Sequence, residues 1–250
     1  MAKLTLLEIV QDILNDMDSD EVNSIDDTIE SQQVAQIVKT TYNSMMSNRD
    51  WPHTRKTIQL VPFGNNLLPT FVTVPESVKE LSMINYNCNQ TTNPTKRMYV
   101  EMKWLEPDEF LRMCNTRDST STSVDTIYDT SGTELFIVNN KPPKYYTSFN
   151  DSVLVFDAYD KSIETSLQQS KFQSYAYVFP EWEHTDTAVP DLPEEAFSAL
   201  VEEAKSKAMF KLRQMVDNKA EQEASRQNRW LSRKAWKVNG GIKFPNYGRK

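Results

Sequence analysis

Glycine, cysteine and histidine are scarce in this chain, and each shortage argues against a class of site or fold. Only five of the 250 residues are glycine, which argues against the glycine-rich loops that hold phosphate groups. Two cysteines are too few for a disulfide framework, so we expect two small buried side chains in a protein made in the cytoplasm. No apolar run approaches the roughly 20 residues that a membrane-spanning helix needs, and residues 1–10 lack the layout of a secretory signal. The sequence therefore predicts no membrane anchor.

Known catalytic signatures are also missing. The sequence contains no Walker loop, no G-x-S-x-G, no G-x-G-x-x-G and no H-E-x-x-H. The two histidines are His53 and His184, and neither has a second His or a Cys at metal-ligand spacing. We therefore predict that the protein is not an enzyme and has no cofactor and no metal.

One acidic segment, Asp16 to Asp27, resembles the start of an EF-hand calcium loop in its alternating carboxylates. However, Glu21 occupies the position at which the sharp turn requires glycine, and Asp27 replaces the bidentate Glu. We interpret the segment as an acidic turn between two helices.

Positive charge is concentrated at one end. The net charge is -7, but residues 226–250 carry eight Lys or Arg and no acid, so residues 1–225 carry 20 basic and 35 acidic residues, a net of -15. Aromatic residues lie among these basic ones, and such an end can bind an acidic partner, including a second copy. Two interpretations stay open: a solvated, disordered tail, or an arm that orders on a partner. DNA is a poor specific partner because the acidic body repels it and no zinc finger or RNP motif is present.

Helical patterns occupy both ends of the chain. Thr5 and Glu8 form a capping-box pattern ahead of apolar residues at helical spacing over 6–17, and a second helix is predicted from about residue 30 to the residues before Pro52. After residue 193 the helical period returns and runs to about residue 235, with a break near 217. The apolar stripe of this last segment consists of Phe197, Leu200, Val201, Ala204, Ala208, Leu212 and Met215.

The middle of the chain is rich in β-branched and aromatic runs separated by Pro, Asn, Asp and Ser. A short helix at 107–114 and a loop at 115–124 interrupt them. The predicted strands are 57–61, 71–74, 78–86, 98–104, 134–138, 152–159 and 172–179. The fold class predicted from this order is α+β: a helical bundle formed by residues 1–51 and 190–235, an inserted antiparallel β lobe at 52–189, and an extended C-terminal arm at 236–250.

Both helical ends resemble a known family. Val22–Ser31, the helix that follows it, and the sequence Ser47-Asn-Arg-Asp-Trp51-Pro are similar to the N-terminal region of tail tubular protein A, the head-to-tail adaptor of short-tailed phages. Leu192-Pro-Glu-Glu-Ala-Phe197 resembles the start of the family's C-terminal helix, and the terminal Phe-Pro-Asn-Tyr-Gly-Arg resembles the tails of phage connectors. In the β middle only the order of elements is similar.

The resemblance implies a structural virion protein, made in the host cytoplasm and located at the head–tail junction. Adaptors of this type form a ring, usually a dodecamer, between the portal protein and the tail nozzle. They offer a platform for nozzle and tail fibres, and genomic DNA passes through the centre without sequence-specific binding. The residues predicted to bind the portal or a neighbouring copy are Arg229, Trp230, Arg233, Lys234, Trp236, Lys243, Phe244 and Tyr247.

Two other functions remain open from the sequence. The β lobe could be a carbohydrate- or host-binding module in which Trp104, Tyr145, Tyr146 and Trp182 stack on sugar rings. A cell-wall glycan hydrolase is the less favoured alternative, because paired catalytic carboxylates have no signature in a single sequence.

Overall fold

The computed structural model describes residues 3–89 and 96–233, and this part of the chain is mixed α+β, as predicted. Its α-helices are α1 (Leu6–Asp16), α2 (Ile29–Ser47), α3 (Pro107–Asn115), α4 (Phe197–Ala208) and α5 (Asn218–Arg233). Its strands are β1 (Arg55–Ile58), β2 (Val61–Pro62), β3 (Phe71–Thr73), β4 (Val78–Asn87), β5 (Tyr99–Glu101), β6 (Lys103–Trp104), β7 (Val124–Tyr128), β8 (Glu134–Val138), β9 (Tyr145–Ser148), β10 (Val153–Phe156) and β11 (Phe172–Val178).

Two compact units make up the structure. The helical unit combines the residues up to Thr54 with those from Phe179 onward and contains α1, α2, α4 and α5. The sheet unit, Arg55–Val178, contains α3 and the strands. The bundle, lobe and arm with their boundaries at residues 51, 190 and 236 stay a prediction, and 236–250 lies outside the described residues.

Capping boxes start the first two helices. The Thr5 N–H donates to Glu8 Oε2 at 2.7 Å and the Glu8 N–H donates to Thr5 Oγ1 at 3.3 Å, which confirms the predicted motif. The hydrogen bond from the Thr5 backbone, followed by that from its side chain, lowers the pKa of Glu8. Thr28 and Ser31 form the same reciprocal pair at the start of α2. Both boxes satisfy backbone N–H groups that a helix start otherwise leaves unpaired.

The core of the helical unit is mainly aliphatic. Trp51 is buried within it, and its indole Nε1–H donates to the Met45 carbonyl oxygen at 3.0 Å. The helices contribute Leu6, Ile9, Val10, Ile13 and Leu14 from α1, Val34, Ala35, Ile37 and Val38 from α2, and Phe197, Leu200, Val201, Ala204 and Ala208 from α4. A fully buried large side chain contributes about 1.5–3 kcal/mol, so helices from the two ends of the chain stabilise each other.

The C-terminal helical segment is interrupted at Met209–Arg213, which form a π-helical turn. Gln214 then adopts a left-handed conformation with φ 55°, and α5 begins at Asn218. A π turn adds a residue to the turn, so the apolar stripe that is regular as far as Ala208 loses its phase. Met215 was predicted on the buried stripe and is instead exposed.

The strands of the sheet unit form three sheets, with the orders β1-β11-β4-β5, β2-β3-β10-β9-β6 and β7-β8. All described strand pairs are antiparallel except β6 with β9, and this parallel pair corrects the prediction of a purely antiparallel lobe. Parallel neighbours need a long connection. Here residues 105–144, with α3 and the β7–β8 hairpin, supply it.

The sequence-based strand prediction misses β7 and β9 and merges others. The predicted runs 57–61 and 98–104 are each divided into two short strands. β7 begins at Val124, the last residue of the predicted loop, and its sequence Val-Asp-Thr-Ile-Tyr has no strong apolar alternation. It is held by its partner β8, from Val124 opposite Val138 to Tyr128 opposite Glu134. Pairing with an apolar partner therefore decides the conformation of a run whose own pattern is weak.

Aromatic side chains fill the interior of the sheet unit. The Phe156 ring is fully buried, 5.3 Å from Phe172 and 5.8 Å from Tyr146 between ring centroids. Tyr86 completes the cluster, 4.9 Å from Phe172. These edge and tilted contacts add about 0.5–1.5 kcal/mol each beyond the burial of apolar area.

A buried ion pair lies in the same unit. Arg117 Nη1 donates to the Asp157 carbonyl oxygen at 2.8 Å, and its Nη2 lies 3.4 Å from Asp157 Oδ2. The other carboxylate oxygen of Asp157 accepts from the N–H groups of Lys144 and Tyr145, at 2.8 and 2.9 Å. The charge at Asp157 is thus neutralised and hydrogen-bonded, as burial of a carboxylate requires.

Candidate interaction surface

The contact of α5 with α4 depends on small side chains. Asp217 Oδ1 accepts from the N–H groups of Lys219 and Ala220, both at 3.0 Å, and so caps the start of α5. The described side chains that α5 buries are Ala220, Ala224 and Leu231. Two alanines and one leucine remove little apolar area from water, so α5 is held less tightly than α1 and α2 are.

Polar contacts supplement this packing. Asn228 Nδ2 donates to Glu203 Oε2 at 3.2 Å, and the Asn228 carbonyl oxygen accepts from Arg49 Nη2 at 3.4 Å. Lys207 Nζ lies 2.9 Å from Glu203 Oε1, within α4. Because these groups are partly solvated, each pair contributes about 1 kcal/mol or less.

The outer face of α5 is basic and aromatic. Arg226, Arg229 and Trp230 are exposed on it. Arg226 Nη2 lies 2.6 Å from Glu223 Oε1, and hydrogen bonds from Gln227 and then Arg226 lower the pKa of Glu223. Exposed Arg and Trp side chains are enriched at protein interfaces.

A second exposed surface lies at the break between α4 and α5. Phe210, Met215 and Val216, which we call the joint patch, are each 62% exposed. A hollow of about 360 Å³ lies here, and its apolar lining residues Phe210 and Val216 are accompanied by Lys207, Lys211 and Glu221. Contiguous exposed apolar residues rimmed by charge typically mark an interaction site. The joint patch is therefore the strongest candidate contact surface of the helical unit.

Polar contacts connect α4 and the π-helical turn after it to α1, α2 and the turn between them. Arg213 Nη2 lies 3.1 Å from Glu30 Oε1 and donates to Ser19 Oγ at 2.7 Å. Lys205 Nζ pairs with the Asp16 carboxylate. Partial burial by itself lowers the pKa of Lys205, but the hydrogen bond and charge of Asp16 outweigh it and raise that pKa. The acidic turn between α1 and α2 thus anchors the α4–α5 break.

The structure describes only part of the predicted binding set. Arg229 and Trp230 are brought together on the outer face of α5, and Arg233 is the last residue of that helix. The remaining predicted residues, Lys234, Trp236, Lys243, Phe244 and Tyr247, lie outside the described residues.

The joint patch was missed from the sequence, although a signal was present. Apolar residues at 210, 212, 215 and 216 cannot all lie on one face of a regular helix. A continuous helix over this stretch would place Phe210 opposite the other three and expose it. The spacing of these apolar residues does not fit the helical period, and this indicates a break that leaves apolar side chains in solvent.

One carboxylate of the acidic turn, that of Asp27, is used for backbone hydrogen bonds. Asp27 Oδ2 accepts from the N–H groups of Asn23 and Ser24, at 2.7 and 2.8 Å. Over residues 3–89 and 96–233, no group of three or more His, Cys, Asp or Glu residues could hold a metal ion. The interpretation as a helix–helix turn agrees with this geometry.

The histidines and cysteines occupy ordinary structural positions. His53 Nε2 lies 2.9 Å from the Asp191 carbonyl oxygen, so that nitrogen carries the proton and donates, while His184 is exposed. Cys88 and Cys114 are free and buried, which confirms the expectation of small buried side chains. Burial raises the pKa of Cys114 to about 11, which keeps the thiol protonated at neutral pH.

The aromatic residues predicted for sugar stacking are divided between the two units. Trp104, Tyr145 and Tyr146 belong to the sheet unit, and Trp182 to the helical unit. Trp104 is partly exposed and meets Tyr146 edge-on at 5.4 Å, so its exposed face is not part of a flat two-ring platform. A hollow of about 390 Å³ in the sheet unit is lined by other aromatics, Phe63, Phe71 and Phe149.

None of the described helices combines the length and the apolar character that crossing a membrane requires. Comparison of the chain with models of protein families and with curated proteins found no significant match. The assignment of a function therefore depends on the surfaces described above and on the resemblance noted in the sequence.

Proposed function

We propose that the protein is a structural virion protein: an adaptor that forms a ring, a dodecamer by resemblance, between the portal and the tail nozzle of a short-tailed phage. Tail fibres and nozzle attach to this ring, and genomic DNA passes through its centre. The observation that carries the proposal is the joint patch, three exposed apolar side chains at the break between α4 and α5. Exposed apolar surface of this kind is typical of a protein that binds a partner.

In this proposal the helices from both ends of the chain form the ring-building bundle, and the sheet unit is an inserted lobe. Residues 236–250 form an arm that continues from the exposed, basic end of α5 toward the portal or a neighbour. Trp236, Phe244 and Tyr247 act as anchors in partner pockets, and four basic residues make contacts at the rim: Arg229, Arg233, Lys234 and Lys243. The opposite charges of the body and the last 25 residues favour such contacts between copies.

Ring formation needs two different lateral surfaces that meet head to tail. The joint patch supplies an apolar surface with basic residues, and the net charge of the body supplies acidic surface elsewhere on the same subunit. The same acidity suits a channel, because DNA that slides past like charges is not retained.

The test is docking of the purified full chain on portal rings, observed by electron microscopy. The wild-type chain is expected to add a ring of density directly beneath the portal. The double variant Phe210→Ser, Met215→Ser is expected to lose that ring while its unfolding midpoint stays unchanged, because both side chains are already exposed.

The matched control is Ile29→Ser, Leu67→Ser, which removes two side chains that are even more exposed, 76% and 77%, but lie outside the joint patch. This control is expected to dock normally. Absence of any wild-type density beneath the portal contradicts the adaptor function itself.

A further inference from the structure

A separate pocket in the helical unit is lined by aromatic and acidic residues. It measures about 180 Å³ and lies where the start of α1, the side chain of Tyr42 from α2 and the segment 181–191 meet. We call it the Trp182 pocket. Its lining consists of Leu6, Tyr42, Glu181, Trp182, Glu183, Ala188, Val189, Pro190 and Asp191.

The walls of the Trp182 pocket are held by backbone hydrogen bonds. The Leu6 N–H donates to the Ala188 carbonyl oxygen at 2.7 Å, and the Leu7 N–H donates to that of Asp186 at 3.2 Å. Asp186 Oδ1 in turn accepts from the Ile25 N–H at 2.8 Å. The segment 181–191 is therefore fixed to α1 and to the acidic turn. The pocket is preformed, so its walls need little rearrangement when a ligand binds.

Two aromatic rings form one side of the pocket. The centroids of Tyr42 and Trp182 are 5.0 Å apart, and Tyr42 is almost fully buried. Burial, and then the charge of Asp191, raise the pKa of Tyr42, so its hydroxyl stays neutral. The Trp182 Nε1–H is buried and has no acceptor among the described residues. The faces of Tyr and Trp rings can bind a cation.

The charged groups of the pocket all have one sign. Glu181, Glu183 and Asp191 are exposed at its edge, and none of the three takes part in an ion pair within residues 3–89 and 96–233. Among the residues that the structure describes, no Lys or Arg contributes to the lining. The pocket therefore combines aromatic faces with three uncompensated carboxylates, the chemistry that recognises a basic, apolar peptide.

We propose that the Trp182 pocket receives the basic C-terminal segment, residues 234–250, of a neighbouring copy of this chain. That segment carries five basic residues and no acid, and its aromatic residues suit a pocket lined by Tyr42 and Trp182. At about 3.3 Å per residue, 17 residues span roughly 56 Å, enough to cross from one small domain to the next. The proposal rests on the proposed ring, because a ring brings the segment of each copy beside the next.

Photo-crosslinking of the full chain tests the proposal. Val189 lines the pocket and is exposed, so it is replaced by p-benzoylphenylalanine, and light and ¹⁵N-labelled copies are mixed with and without portal rings. Peptide mapping is expected to find crosslinks from position 189 to residues 234–250 that join a light copy to a heavy one. Crosslinks confined to single copies, crosslinks to the portal alone, or no crosslink overturn the proposal.

Charge variants provide the matched control. Glu181→Gln, Glu183→Gln, Asp191→Asn is expected to lower the yield of these crosslinks about tenfold, since three partly exposed ion pairs are lost. Asp12→Asn, Asp20→Asn, Glu21→Gln makes the same change in net charge at exposed residues that do not line the pocket, and is expected to leave the yield unchanged. Equal losses in both variants contradict a specific pocket.

The two proposals fail in different ways. Normal docking on the portal with crosslinks only to the portal removes the Trp182 pocket as a receptor and leaves the adaptor function intact. Light–heavy crosslinks without any docking on the portal support the pocket and contradict the adaptor function.

Discussion

In the sheet unit Arg117 and Asp157 are buried facing each other, and the large rings around Phe156 are covered. In the α4–α5 region Phe210 and Met215 face solvent, and the packing beneath depends on alanines. In the first region the charges are paired and the rings are enclosed by the same unit. The second leaves apolar area in water, which is typical of a contact surface. Substitutions should therefore affect stability in the sheet unit and association in the α4–α5 region.

The largest loss of stability is expected for Phe156→Ala. The Phe156 ring is fully buried. Its truncation leaves a cavity and should lower the free energy of unfolding by about 3–5 kcal/mol. Urea denaturation measures it. Phe63→Ala, at a partly exposed ring of the same unit, serves as the control and should cost clearly less. Equal costs would contradict a closed core.

Arg117→Met should come next, with a loss of about 3 kcal/mol, because it leaves the buried Asp157 carboxylate without its cation. The control is Arg112→Met, whose pair with Asp108 is largely exposed and contributes under about 1 kcal/mol. Adding Asp157→Asn to Arg117→Met should recover part of the loss. If denaturation shows the two single variants to be alike, the ion pair is not what stabilises this region.

Leu231→Ala should cost about 2 kcal/mol and act locally, because Leu231 is the one large side chain that described α5 buries. Amide hydrogen exchange should rise over residues 218–233 and remain unchanged in α1 and α2. A uniform rise across the helical unit would mean that α5 is an integral part of the core and not a loosely held element.

The smallest effect is expected for Asp125→Asn and depends on pH. Partial burial raises the pKa of Asp125, but hydrogen bonds from Tyr159 and Asn139 and the charge of Lys161 outweigh it, so the folded pKa lies below its ordinary value. The carboxylate therefore stabilises the fold above its unfolded pKa of about 3.9, and this contribution is lost as the pH falls through the folded pKa. Wild type and variant should differ at pH 6 and converge near pH 2 in thermal unfolding. A constant difference would exclude this carboxylate as the cause.

Local patterns predict the helices well and the strands less well. The Thr5 capping box and the apolar spacing of α1 are enough to predict where that helix lies and which face it buries. β7 depends on pairing with β8, which is encoded elsewhere in the chain. The π turn at Met209–Arg213 lies between two elements that are fixed independently. The position of α4 is determined by its buried aliphatic face, and the start of α5 by the cap at Asp217. In the candidate surface, composition identified Arg229 and Trp230, but only the three-dimensional structure identified the joint patch.

Deletion of residues 236–250 tests the central claim, that the chain folds by itself and assembles through its C-terminal end. The account predicts that the shortened protein unfolds at the same temperature as the full chain and no longer docks on portal rings in electron micrographs. A shortened protein that docks as the full chain does, or one that loses its cooperative thermal transition, contradicts the account.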